Sequence, residues 1–214
     1  MSDGSLSQDE IDALLAGTGD IDLGDSSSGG AASVASNSLD GLRDALGETI
    51  GQQQSNMAMI TGREVEVAAP TVNGGAPTGI SGAVVQIVYN LGDAGTHSYV
   101  MSEEDAITFA SASMGLGGVE LDDSALNAVQ EVFSQVAGPV INTLSEKTGA
   151  TIMPDPAEAT RTDAGALSMP SSPVYARYTV QVGDDSTVVY ELFEENFAMQ
   201  LSSGSGQAGG CMQG

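Results

Sequence analysis

Basic residues are scarce in this chain. Among 214 residues there are five, Arg43, Arg63, Lys147, Arg161 and Arg177, against twenty-nine acidic ones, for a formal net charge of -24 at pH 7. The five are scattered. A phosphate backbone is held by clustered Lys and Arg, so nucleic acid is excluded as a partner. An anionic membrane surface would repel the chain as well. Cysteine is nearly absent: Cys211 stands alone in a Gly-rich tail, so it forms no internal disulfide, which fits a reducing compartment. A single histidine, His97, leaves no basis for a zinc site. Long apolar runs are missing too, and the acidic N-terminus is no secretory signal, so no direct membrane insertion is expected. These absences together predict a cytoplasmic protein with no metal or cofactor of its own. The plainest meaning of the charge is solubility, or adaptation to a salty cell.

What is present begins with a short amphipathic segment at 1–17. In Leu6-Ser7-Gln8-Asp9-Glu10-Ile11-Asp12-Ala13-Leu14-Leu15, Ser7 and Glu10 have capping-box spacing. Asp9 and Glu10 suit the positive end of a helix dipole. Ile11, Leu14 and Leu15 fall on one face. About two turns of helix are marginal alone. Residues 18–37, rich in Ser, Gly and Asp, read as a flexible linker. The helix either docks on a partner or folds back onto the domain. Residues 204–214 read as a second flexible tail.

Apolar residues make up 41% of the whole chain, enough for a real core in residues 38–203, and this stretch repeats internally. When 40–70 is laid over 127–157, Asp44 meets Glu131, Gly51 meets Gly138, and Thr61-Gly62 meets Thr148-Gly149. Each copy predicts a long amphipathic helix, a Gly stop and a short strand, at Glu64–Ala68 and Thr151–Met153. Further on, Leu91-Gly92-Asp93 meets Val182-Gly183-Asp184, Thr96 meets Thr187, Tyr99 meets Tyr190, and Glu103-Glu104 meets Glu194-Glu195. Each is read as a hairpin closed by a Gly-Asp turn, with first strands at Gly82–Asn90 and Val174–Val182, running into a short helix near 103–114 or 194–203. The halves, about 38–114 and 122–203, predict an α/β (α+β) domain with pseudo-two-fold symmetry. Its six-stranded sheet carries two long helices on one face. Tyr99, Tyr190 and the methionines are expected in the core, and Met114–Gly118 as a connector.

Two features carry a family resemblance. Leu6–Leu15 resembles the N-terminal segment of flagellar motor switch proteins of the FliM and FliY type. The domain resembles the CheC, CheX and FliY group, whose pattern is Asp or Ser, three residues, Glu, two residues, Asn, then Pro after about twenty-one. Here Asn127-x3-Glu131-x2-Ser134 is followed by Pro156 after twenty-one intervening residues, and Gln135 and Gly138 also agree. The first helix reads Asp40-x3-Asp44-x2-Gly47, with Pro70 after twenty-two.

The resemblance implies a CheC-like fold and a docking role for Leu6, Ser7, Gln8, Asp9, Glu10, Ile11, Leu14 and Leu15 toward phosphorylated CheY. It implies motor partners of the FliM, FliG and FliN types at the flagellar basal body, with Met114–Gly118 where the family carries a Gly-rich loop that meets FliG. It also implies hydrolysis of an aspartyl phosphate on CheY, with Mg carried by that partner. In that chemistry Glu131 anchors the partner and an Asn orients the attacking water. Ser134 and Gly47 replace the Asn in the two halves, so Asp40, Asp44 and Gly47 form a degenerate first site. Asn127, one turn before Glu131, is a further candidate to hold the water. The plain alternatives are a solvated Glu131 and a Ser134 that bonds backbone or water.

Three functions compete. They are a switch component that binds phosphorylated CheY through a degenerate phosphatase domain, an active CheY-phosphate phosphatase using Glu131 with Ser134 or Asn127, and a free adaptor that binds CheY away from the motor. The family's C-terminal ring-forming domain is not in this sequence, which leaves a fragment, a split-gene product and a stand-alone form all open.

Overall fold

A computed structural model describes residues 36–149 and 151–204. The docking segment, nearly all of the 18–37 linker and the tail beyond Gly204 lie outside the described residues. The elements run α1 (Ser36–Thr61), β1 (Val65–Val67), β2 (Thr71–Gly74), β3 (Ala83–Asn90), β4 (Thr96–Ser102), α2 (Glu103–Met114), α3 (Asp123–Thr148), β5 (Glu158–Asp163), β6 (Pro173–Val182), β7 (Asp185–Glu194) and α4 (Glu195–Gly204).

The two long helices are the repeat made visible. Each has 26 residues, and α3 starts 87 positions after α1, the same offset that aligns Asp44 with Glu131. Apolar residues at spacings of three and four put Leu39, Leu42, Leu46 and Met57 of α1 in the core. Val129, Val132, Phe133, Val136, Val140 and Leu144 do the same for α3. Both helices stop at a glycine in the left-handed region, Gly62 (φ 62) and Gly149 (φ 69), where a Cβ would strain the backbone. Asp122 caps α3 by accepting from the Ala125 N–H at 2.9 Å.

Pro139 sits inside α3. It has no N–H, so the Gln135 carbonyl loses its partner four residues on. The Asn56 side chain of α1 supplies the missing donor, with Nδ2 2.7 Å from that oxygen. A defect in one helix thus becomes a tie to the other.

All strand pairings are antiparallel, in the order β1-β6-β7-β4-β3-β5, with β2 also on the free edge of β6. The halves exchange parts across the central β4–β7 pair. β1 and β2 of the first half extend the second hairpin, and β5 of the second half extends the first. The short helices cross over too: α2 packs on α3, and α4 packs on α1. Neither half is closed without the other.

Three expectations need correction. The sheet has seven strands, because β2 follows β1 on the same edge. No strand forms at 151–153; β5 lies later, at 158–163. The first hairpin closes through five residues (91–95), including a 3-10 turn at Gly92–Ala94. The 151–157 segment beside it makes one backbone bond there, Asp155 N–H to the Asn90 carbonyl at 3.0 Å. The second hairpin closes at Gly183-Asp184, and β1 pairs right up to that turn, at Val65↔Val182.

The hairpin alignment also slips by one residue. Tyr99 stands opposite Glu191, and Val100 opposite Tyr190. Tyr99 therefore points toward the helices and Tyr190 away from them. They cannot be equivalent, since a one-residue shift reverses every side chain. α2 starting at Glu103 and α4 at Glu195 give the true offset as one position longer.

The helix-facing side of the sheet holds the main core, and the other side a small cluster of Val84, Val100, Tyr175, Tyr190 and Leu192. The long loops cover this second cluster. Gln86 pins one of them by exchanging two bonds with the Ser168 backbone, at 2.7 and 3.0 Å. Tyr190 donates to the Thr78 carbonyl at 3.1 Å and holds the other. Among the methionines, Met57 and Met101 are buried, but Met59 and Met153 are 74% and 80% exposed, so the expectation of an all-core role fails for them.

Buried between the sheet and the helices is a polar chain. Glu191 is fully buried; its Oε1 lies 2.8 Å from His97 Nε2 and its Oε2 accepts from Tyr178 at 2.6 Å. Tyr178 meets Gln53, whose Nε2 donates to Thr49 Oγ1 at 2.8 Å. Burial first, then the nearby Glu191, pushes the Tyr178 and Tyr99 phenols well above their ordinary range. Both stay protonated at any ordinary pH. Replacing Glu191 by Ala strands His97 and Tyr178 in an apolar layer. The expected cost is about 3–5 kcal/mol, read from urea unfolding of Glu191→Ala against wild type. Asn56→Ala, which frees the exposed Gln135 carbonyl and the exposed Gln52 amide, is expected to cost about 1 kcal/mol in the same assay.

Candidate functional site

α3 displays Asn127 and Glu131 to solvent and leaves Ser134 half-buried. The spacings of four and three residues put all three on one side of the helix. Ser134 is turned toward the sheet, where its Oγ accepts a long bond from the Tyr89 phenol at 3.4 Å. Burial pushes the Tyr89 pKa up to about 12, against the opposing pull of the Ser134 bond, so the phenol stays protonated and donates. The Ser134 hydroxyl thus meets a tyrosine across the layer.

Glu131 is exposed, as a solvated helix residue would be, but it is not alone. Gln135 Nε2 donates to Glu131 Oε1 at 3.1 Å. The Gln135 backbone is tied to Asn56, and Asn56 Oδ1 accepts from Gln52 Nε2 at 2.7 Å. A line of carboxamides therefore runs from α1 across to Glu131. Sequence reasoning noted Gln135 only as agreeing with a family pattern. The available signal was Pro139 four residues later, which marks the Gln135 carbonyl as one needing an outside donor.

The equivalent stretch of α1 differs. Asp40 pairs with Arg43 at 2.6 Å, a contact worth little at that exposure. Asp44 and Gly47 are exposed. A Cβ on Gly47 would meet nothing within 4 Å. Lys147 bonds Glu48 at 2.9 Å while Asn56 reaches Gln135, so α1 and α3 run antiparallel. The two motif faces therefore lie toward opposite ends of the pair. Pro70 is buried and Pro156 exposed, a further departure from symmetry.

The arrangement offers a carboxylate flanked by carboxamides and a turned-in hydroxyl. Such groups can hold a partner and orient a water. Among the described residues no cluster of three or more His, Cys, Asp or Glu side chains is arranged to hold a metal ion. No described helix is long and apolar enough to cross a membrane.

Antiparallel sheet, crossed-over halves and two long helices on one face define the class: this is the CheC-like fold, shared with the middle domains of flagellar switch proteins. A CheC-like superfamily protein from Shewanella matches it with a TM-score of 0.51 at 14% identity, over 71% of this chain and 97% of that one. The FliM middle domain from Helicobacter pylori matches with a TM-score of 0.66 at 13% identity, over 80% of this chain and 99% of that one, and a chain of a FliG–FliM complex from the same organism with a TM-score of 0.63 at 14% identity, over 78% and 99%. Thermotoga maritima FliY gives a TM-score of 0.70 at 19% identity, over 80% of this chain and 96% of that one.

In sequence the chain is similar to the flagellar motor switch phosphatase FliY of Bacillus subtilis, 27% identical over 235 positions. The match takes in 95% of this chain and 58% of that protein, so the chain spans little more than half the length of this relative. No protein-family model matches the chain. The FliY-type resemblance and the CheC-like fold expected from the residues are both borne out.

Since position 47 is open and helical, Gly47→Ala is expected to stabilise the domain by about 1 kcal/mol. Gly47→Asn should fold as wild type does. Thermal unfolding checks both, and a lowered midpoint for either would show that the site is closed.

Proposed function

We propose that this chain is a component of the chemotaxis and flagellar switch machinery that binds phosphorylated CheY. Residues 6–15 capture the partner, and the linker holds it at high local concentration near the domain. The domain presents the α3 face to CheY and other surfaces to motor proteins of the FliM, FliG and FliN types, at the cytoplasmic side of the basal body. Support comes from the similarity to FliY along 95% of the chain. It comes also from the FliM fold, which in Helicobacter pylori was crystallised with FliG.

The observation that carries the binding reading is the state of the two Asn positions. Ser134 is engaged by Tyr89, and Gly47 has no side chain. On this reading the motif is a degenerate phosphatase that retains Glu131 as an anchor. Mg enters only with the phosphorylated partner.

A second reading, a CheY-phosphate phosphatase, is favoured by one contact: the Gln135 carboxamide on Glu131. Both readings share the docking step. Phosphorylated CheY, titrated into the whole chain and into a chain lacking residues 1–17, should bind the former at least tenfold more tightly, as measured by calorimetry. Equal affinity for the two would remove residues 6–15 from the account.

A further inference from the structure

The amide missing from positions 134 and 47 is present one residue further along α3. We propose that Gln135 is the water-positioning group of this surface, acting beside Glu131 in place of the serine. The inference rests on the phosphatase reading of the site.

The argument begins with orientation. An ionised Glu131 carboxylate only accepts hydrogen bonds. The Gln135 Nε2 must therefore face it, which fixes the amide: nitrogen on Glu131 at 3.1 Å, carbonyl oxygen turned elsewhere. Gln135 is exposed, so that oxygen is offered to solvent. A water donating one proton to it keeps a lone pair free for an electrophile in front of the helix. Ser134 is poorly placed for this work, because its hydroxyl is half-buried and already meets the Tyr89 phenol.

The second part is rigidity. A glutamine on an exposed helix face is ordinarily mobile, and holding it costs side-chain entropy of about 1.5–2 kcal/mol. Here the Glu131 carboxylate holds the amide at 3.1 Å, and Asn56 ties the helix backbone beneath it at 2.7 Å through the carbonyl that Pro139 leaves free. Gln52 in turn steadies Asn56 at 2.7 Å. Both ends of Gln135 are tied, one through the backbone and one through the amide. Positioning of this kind lowers a barrier by replacing a free encounter with a held one.

The step balances without any group of this chain changing covalently. The partner brings an acyl phosphate and its own divalent cation. The water held by Gln135 attacks phosphorus, and the P–O bond to the partner's aspartyl carbonyl carbon's oxygen breaks. The carboxylate leaves with the electron pair. The water protons pass to the released phosphate and the solvent.

The test follows decay of CheY phosphorylated with a small-molecule phosphodonor, in the presence of the whole chain, Gln135→Ala, Gln135→Glu or Glu131→Ala, with unfolding midpoints as the folding control. Wild type is expected to speed the decay. Both Gln135 variants should lower kcat on the order of 10²-fold with KM little changed, whereas Glu131→Ala, which removes both the partner's anchor and the hold on the amide, should raise KM and lower kcat. Wild-type turnover retained in Gln135→Ala, with Glu131→Ala impaired, would overturn the assignment while leaving the phosphatase reading intact. A wild type that binds phosphorylated CheY and leaves its decay unchanged would overturn the phosphatase reading and the assignment with it.

Discussion

The antiparallel pairing of β4 with β7 is the constraint on which the rest of this domain hangs. It joins the two hairpins at the sheet centre, and from it each half reaches across to complete the other. β1 and β2 close the edge of the second hairpin, β5 that of the first, and the short helices trade places on the long ones. A sheet assembled this way has no independent halves to open. The buried contact of Glu191 with His97 and Tyr178 spans β4, β7 and β6 in that same layer. A buried hydrogen-bonded network of this kind adds modest net stability when intact and is costly when one partner is removed, so it favours one arrangement of the strands over others.

That rigidity bears on the functional surface. α3 rests on the sheet through Phe133, Val136 and their neighbours, and α1 steadies it from the side through Asn56. The outward face, with Asn127, Glu131 and Gln135, is therefore a fixed platform. The excess of acid over base over the whole chain gives it a field that favours cationic partner surfaces and that salt would screen.

Much of the architecture was legible because the helices obey the 3.6-residue period and end at Gly62 and Gly149. Their offset of 87 could be read directly. The hairpins were legible as hairpins but not in register, since the Thr96–Thr187 and Tyr99–Tyr190 identities favoured an alignment that the pleat forbids. β5 was missed because Glu158-Ala159-Thr160-Arg161-Thr162-Asp163 shows no alternation of apolar and polar residues; it is an edge strand with mostly exposed side chains. That the candidate residues Asn127, Glu131 and Ser134 share one side of α3 was legible by spacing. The inward turn of Ser134 and the amide on Glu131 were not, because each depends on a residue from a distant part of the chain or on a rotamer.

The measurement that tests the account most directly is an NMR titration of the isotopically labelled chain with phosphorylated CheY, using the unphosphorylated protein as the reference. The account predicts that amide signals of residues 6–15 and of the outer face of α3, from Asn127 to Gln135, shift together and only with the phosphorylated form. Shifts confined to other surfaces, or the same with either form of CheY, would contradict it.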